Sequence, residues 1–246
     1  MAVIMTAVAF LGFAPTFWIP LAQGVPSRIA VIGVHAIVFY AWMFFFIHQS
    51  WLAMSGSIAR HRSFGLIGVS LATAMVIFGA LAAINSGVRA TVAGYAEAGE
   101  AIMILPIAAI TIFAVLVVSA IANVHRPEWH RRLMLSATAI TLDAAIARAW
   151  LAYYVAKGDP LPFQDNVGLA GLPGSPPPVI VFLPPSLIAC LFIAVGMIYD
   201  WRTRGKVHAA YWWAGGFAVA IQLLKVPFSD TALWHGIAGW MISLAG

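Results

Sequence analysis

The sequence predicts an all-α fold: one polytopic membrane bundle over residues 1–246, with seven transmembrane helices and a short C-terminal interfacial helix. Three observations predict it. First, only 9% of the residues are charged and 63% are hydrophobic, whereas soluble domains carry about 25% charged residues. A soluble chain of this size leaves roughly a quarter to a third of its extended surface in water, more than these charged side chains can cover. Second, the apolar residues are gathered into runs close to the ~20 residues that cross a bilayer. Third, most Lys and Arg residues fall in short loops between those runs, the pattern that sets orientation in a membrane. The same composition excludes a soluble enzyme and a disordered chain. No basic patch with interleaved aromatics is present, so nucleic acid is not an expected partner.

The predicted spans are 3–22, 29–54, 64–85, 101–123, 133–156, 179–199 and 207–226. The first holds no Lys or Arg before Arg28 and lacks a clear small-residue cleavage site, so it is expected to stay on the protein rather than act as a cleaved signal. The segment 231–245 is too short to span, and Trp234 and Trp240 suit an interface. The longest loop, 157–178, contains Pro176-Pro177-Pro178. It reads as a plain connector, or as an extended lid or docking strip. The single cysteine, Cys190, lies in an apolar run and carries no information about compartment.

Orientation follows from the loops. Arg60, Arg62, Arg126, Arg131, Arg132, Arg202, Arg204 and Lys206 lie on one side; Arg28, Arg89 and Lys157 lie on the other. The richer side is expected to be cytoplasmic, placing the N-terminus inside and the end of the seventh span outside. Glu97, Glu100, Asp159, Asp165 and Asp230 all fall on the outer side.

Within the spans, Asp143 is the most expensive residue. It lies about 18 Å along the fifth span, in mid-bilayer, at roughly 1.5 Å per residue, where an Asp costs about 2.5–3.5 kcal/mol. It is expected either to handle protons or to act as hydrogen-bonding glue between helices. Arg148 lies on the same span, about 140° around from it, a poor geometry for a pair, so a partner on another helix is expected. His35, Trp42 and Gln49 are spaced by seven and form one stripe on the second span, expected to face the bundle.

His35, Arg148 and His235 reach similar depth from separate segments, with Gln222 and Lys225 at the rim. They define an expected outer-half site in which His35 and His235 are the best candidate axial pair for a b-type haem. His48 is thirteen residues from His35, the wrong spacing for a second ligand on the same face. His61, His125, His130 and His208 sit at cytoplasmic helix ends. They are either headgroup contacts or, in the neutral form favoured at helix N-termini, possible ligands. The aromatic run Phe39 to Trp51 reads as packing or lipid-facing surface, or as a pigment or quinone lining. An echo links His61-Arg62-Ser63-Phe64-Gly65-Leu66 to His130-Arg131-Arg132-Leu133-Met134-Leu135. It suggests either a parallel repeat about an axis along the membrane normal or shared helix-start chemistry.

With these two His-Arg helix starts, the His35/Trp42/Gln49 stripe, Gly12-Phe13-Ala14-Pro15-Thr16 and Trp234-His235, the chain resembles a family of bacterial multi-pass membrane proteins of unassigned function. The resemblance implies a bacterial inner-membrane protein and carries over no catalytic residue. Three functional expectations follow. The first is a redox membrane protein binding haem b or quinone. The second is a non-catalytic accessory subunit of a larger membrane complex that holds lipid or pigment. The third is a proton-coupled transporter using Asp143 and Arg148. No discontinuous helix pair marks a midplane site in the sequence, and tiny loops argue against an autonomous enzyme. The expected partners are the lipid bilayer and other membrane subunits.

Overall fold

The computed structural model describes residues 1–24, 30–157 and 177–245, with side chains up to Tyr153 in the second of these stretches. All regular structure among the described residues is helical. α1 (Ala2–Phe13) continues through a wide π turn (Ala14–Trp18) into α2 (Ile19–Ala22). α3 (Ala30–Met54) and α4 (Ile58–Val92) form a hairpin. α5 (Ala96–Ile102) runs into α6 (Ile104–Ala122), and α7 (Pro127–Ile140) into α8 (Asp143–Lys157). A 3₁₀ turn (Val179–Phe182) opens α9 (Leu183–Arg204), followed by α10 (Ala209–Ser229) and α11 (Ala232–Ser243). The 157–178 loop falls almost wholly outside the described residues, as does Arg28.

Six helical stretches are long and apolar enough to cross a membrane: Ala2–Ala22, Ala30–Met54, Ile58–Val92, Ala96–Ala122, Pro127–Tyr153 and Val179–Arg204. They are consistent with an integral membrane protein. The seventh predicted span, α10, is 21 residues long but is not among them, because Gln222 and Lys225 dilute its apolar run. Many large apolar side chains point outward, among them Leu11, Ile37, Leu66, Val118, Leu191 and Leu224. A soluble monomer rarely exposes so much apolar surface, and a bilayer would cover it. Inside, Trp42, Met75, Ile112, Leu116, Leu133, Ile140 and Ile193 form the core.

The helices depart from the predicted runs for identifiable reasons. α4 is 35 residues long, against the predicted 64–85, because polar residues at both ends continue the helix beyond the apolar stretch. It stops at Gly94, and α3 and α9 likewise end on Gly56 and Gly205; all three have φ near +70 to +90°, the left-handed cap only glycine adopts freely. The predicted span 101–123 is interrupted at Met103. Pro106, three residues on, has no N–H for the Ile102 carbonyl.

The predicted span 133–156 is interrupted too. After Ile140 the bonding tightens, Thr141 N–H to Thr138 O at 3.2 Å and Leu142 N–H to Ala139 O at 3.1 Å. The Thr138 and Thr141 hydroxyls bond backbone carbonyls of Met134 and Thr138, side-chain competition that weakens a helical ladder. α1 lies so close to α8 that a Cβ on Gly12 would strike the Ala145 carbonyl, the small-residue contact typical of membrane helices. α11, at 12 residues, is about 18 Å long, too short to cross. It packs on α4 and α5, with the Trp234 indole donating to the Glu100 carbonyl at 2.8 Å.

Candidate functional site

The interruption after Ile140 places Asp143 at the first residue of α8, where the helix dipole favours a carboxylate. Asp143 is buried, and its surroundings come from two other helices. Gln222 Nε2, on α10, donates to Oδ2 at 3.0 Å. Lys225, one turn further along α10 and 3% exposed, brings Nζ to 3.7 Å from Oδ2. Ser186, in the first turn of α9, lies between them. Its Oγ is 2.9 and 3.0 Å from the two Asp143 oxygens and accepts a hydrogen bond from Lys225 Nζ at 2.7 Å. The hydroxyl has one proton, and the Phe182 carbonyl at 2.8 Å competes for it. Gln222 Oε1 is buried with no hydrogen-bond partner among the described residues. Two residues beyond Lys225, Pro227 interrupts the ladder of α10.

This geometry answers the question of Asp143's partner. Arg148 is not that partner; Lys225 is. Lys225 and Gln222, expected at the rim of an outer-half site, instead flank Asp143. The expectation that no discontinuous helix marks a midplane site is corrected as well, since α7/α8 is broken beside Asp143. Ser186 was not singled out, and nothing in the sequence around Pro184-Pro185-Ser186 marks it.

The outer-half set is distributed as follows. His35 is half-buried, stacks on Phe39 at 4.1 Å and has Phe78 and Arg148 as polar neighbours. Arg148 has Arg89 nearby and no carboxylate in contact among the described residues. His235 Nδ1 pairs with Glu100 Oε2 at 2.8 Å. The contacts of the two histidines share no residue. Trp42 and Gln49 are buried in the core; the Trp42 indole donates to Thr138 Oγ1 at 3.3 Å and meets the Phe113 ring edge-on at 5.1 Å, while both Gln49 side-chain polar atoms have no partner among the described residues. His48 is exposed.

The two echoed histidines occupy matching places. His61 and His130 are each the fourth residue of their helix. His61 Nδ1 lies 3.3 Å from the Gln49 carbonyl and His130 Nδ1 2.9 Å from the Ala120 carbonyl, and the rings meet at 6.2 Å. Each thus ties its helix to the end of the one before it.

A second charged cluster joins the end of α9 to the starts of α7 and α10. Arg132, 2% exposed, grips Asp200 with two bonds, Nε to Oδ2 at 2.7 Å and Nη2 to Oδ1 at 2.6 Å. Its remaining nitrogen reaches Glu128 Oε2 at 2.6 Å and the Glu128 carbonyl at 2.8 Å. Arg131 and Arg204 also converge on Glu128, and Tyr211 lies beneath the Arg132 guanidinium. His208 caps α10, its Nδ1 accepting from the Ala210 N–H at 3.1 Å. Burial and the nearby Arg132 push its imidazole below the usual value of 6.5, so the neutral, accepting form is favoured.

Among the described residues no group of three or more His, Cys, Asp or Glu side chains is placed to hold a metal ion. Comparison with known proteins finds no matching family model, no matching curated protein and no matching solved structure. The family resemblance read from the sequence therefore gains no support as an identity, and what stands is a chain of apolar helices compatible with a multi-pass membrane protein.

Proposed function

We propose that the protein is a proton-coupled membrane transporter in which the Asp143–Lys225 pair binds the coupling proton. The observation that carries this reading is a buried, indirect ion pair at a broken helix. The two charges are 3.7 Å apart with Ser186 between them; the stretch bearing Asp143 is interrupted at Thr141–Leu142, and α10, which is continuous, carries Pro227 two residues past Lys225. Intramembrane ionisable residues mark proton and ion pathways, and carriers place such sites where helices are discontinuous. A proton on Asp143 would leave the Lys225 ammonium without its counter-charge, and an uncompensated buried charge is costly. The protonation state thereby biases how α8, α9 and α10 pack. The haem or quinone reading and the accessory-subunit reading rest on no comparable feature.

The same reading takes α10 as the seventh span, because its 21 residues reach about 31 Å. It keeps the N-terminus cytoplasmic, in the bacterial inner membrane, from the loop charges. A reporter fused after Gly205 then reads cytoplasmic; a periplasmic reading reverses the orientation.

The test of coupling needs no substrate. Proteoliposomes adsorbed on a supported membrane are given a pH jump, and the transient charge displacement is recorded. Wild type gives a transient that saturates with proton concentration, and Asp143→Asn removes it while the protein keeps its fold. An equal transient from Asp143→Asn, or none from wild type, refutes the proposal.

A further inference from the structure

Beyond the Asp143 pair, the middle of α8 carries an arginine with no partner among the described residues. Arg148 lies five residues past Asp143, more than one helical turn deeper into the bundle's far half. It is half-buried, and no hydrogen bond, ion pair or carboxylate meets it among the described residues. Its charged neighbour is a second cation, Arg89 of α4, and His35 of α3 is the third member of the group. Arg89 is itself exposed, so Arg148 is the enclosed cation of the group, and a cation inside a membrane protein ordinarily pairs.

The polar atoms around this group are also unanswered. His35 Nδ1, Asn85 Oδ1 and Thr16 Oγ1 are all buried with no hydrogen-bond partner among the described residues. Asn85 precedes Arg89 by four residues, so the two share a face of α4. Thr16 is four residues beyond Gly12, as Arg148 is three beyond Ala145, and Gly12 and Ala145 are in contact. α1 and α8 run in the same direction, so Thr16 and Arg148 reach the same level. Buried polar groups are ordinarily satisfied, and each exception calls for a cause. Two arginines, a hydroxyl and an amide free to rotate, from three separate segments with no acid among them, complement an anion.

We infer that Thr16, Asn85, Arg89 and Arg148 form a binding site for an oxyanion, with the Arg148 guanidinium as its principal contact. The planar guanidinium matches the oxygens of a phosphate or carboxylate in two parallel bonds. Arg89 adds charge, the Thr16 hydroxyl supplies a hydrogen-bond donor, and the Asn85 amide does so once rotated to turn its Nδ2 toward the ligand. The shared chemistry is a phosphate group, which can arrive on a lipid headgroup or free in solution. This inference rests on the Arg148 group alone and stands whether or not Asp143 couples protons.

The test uses the full chain in neutral detergent at constant ionic strength, with unfolding followed by tryptophan fluorescence. Two probes are titrated: inorganic phosphate, and phosphatidylglycerol against phosphatidylcholine as the zwitterionic control. Wild type is expected to gain stability from one of the two. A gain with phosphatidylglycerol alone identifies a headgroup site, and a gain with inorganic phosphate identifies a site for a free anion. Arg148→Gln should weaken half-saturation by roughly tenfold or more. Arg89→Gln should weaken it less, and Arg60→Gln, an exposed arginine on another part of α4, should leave it unchanged. Without ligand, Arg148→Gln should be at least as stable as wild type, since it removes an unpaired charge. No response of wild type to either probe overturns the site, as does an Arg148→Gln response equal to wild type. Arg148→Lys, which keeps the charge and loses the fork, serves if the glutamine variant does not fold; an unchanged response in both Arg148→Lys and Arg89→Gln also overturns it.

Discussion

Two buried ion pairs sit in this bundle and are built in opposite ways. Arg132 and Asp200 meet face to face, through two bonds of 2.6 and 2.7 Å, at the ends of helices, and Glu128 takes up the remaining guanidinium nitrogen. Asp143 and Lys225 stand 3.7 Å apart beside a helix break, with a hydroxyl between them and one amide oxygen unsatisfied. Both pairs are neutral overall. The first has every strong partner in place and fixes α7, α9 and α10 relative to one another. The second leaves the Gln222 amide oxygen without a partner and holds its charges apart across a hydroxyl. The difference teaches that charge neutrality says little about role; how completely the hydrogen bonds are satisfied separates a lock from a working pair.

The largest expected effect comes from the lock. Arg132→Gln leaves Asp200 buried without its partner and should cost about 3–5 kcal/mol of stability, read from a denaturation midpoint. The double variant Arg132→Met/Asp200→Leu should recover most of that loss. A cost no larger than that of the half-exposed Arg131→Gln would break the comparison. The midplane pair should yield less: Asp143→Leu is expected to cost about 1–2 kcal/mol and Asp143→Asn less still. If Asp143→Leu matched Arg132→Gln, both pairs would be locks.

The smallest effect concerns His208. Its folded-state imidazole is held below the ordinary 6.5, so the unfolded chain takes up the proton first. Stability therefore falls as pH drops through about 6.5 and levels off once pH passes below the folded value. His208→Asn keeps a capping acceptor without titrating. It should flatten this part of the profile between about pH 7.5 and 5.5, by a fraction of the ~1 kcal/mol typical of a cap. Identical profiles for the two proteins would remove His208 from the charge balance of the clamp.

Much of the architecture was legible because apolar run length is a strong signal. The runs at 29–54 and 179–199 correspond closely to α3 and to most of α9. Boundaries were less legible where polar residues prolong a helix, as at both ends of α4. The break at Thr141–Leu142 was hidden because threonine passes for an apolar residue in a span, and its competition for carbonyls leaves no periodic trace. In the site, Asp143 was visible by its cost, and Lys225 was visible as one of only two other charges read within the spans. Their pairing follows from the poor Asp143–Arg148 geometry once Lys225 is weighed as the remaining cation. Ser186 carried no signal, since a hydroxyl among apolar residues most often bonds its own helix. The Arg132–Asp200 clamp is hidden for a different reason: orientation alone accounts for arginines at helix ends, so nothing in their position calls for a buried partner.

The contact between Gly12 and Ala145 has a mechanical consequence. α7 is anchored by the Arg132 clamp, and α8 is separated from it at Thr141–Leu142. Where Gly12 meets Ala145 the two helices are too close to admit even a methyl group on α1, so a tilt of α8 toward α1 about that joint has no room to proceed alone. Such a tilt would have to carry α1 with it, with the Asp143 carboxylate near the fulcrum and Thr16 and Arg148 on the longer arm.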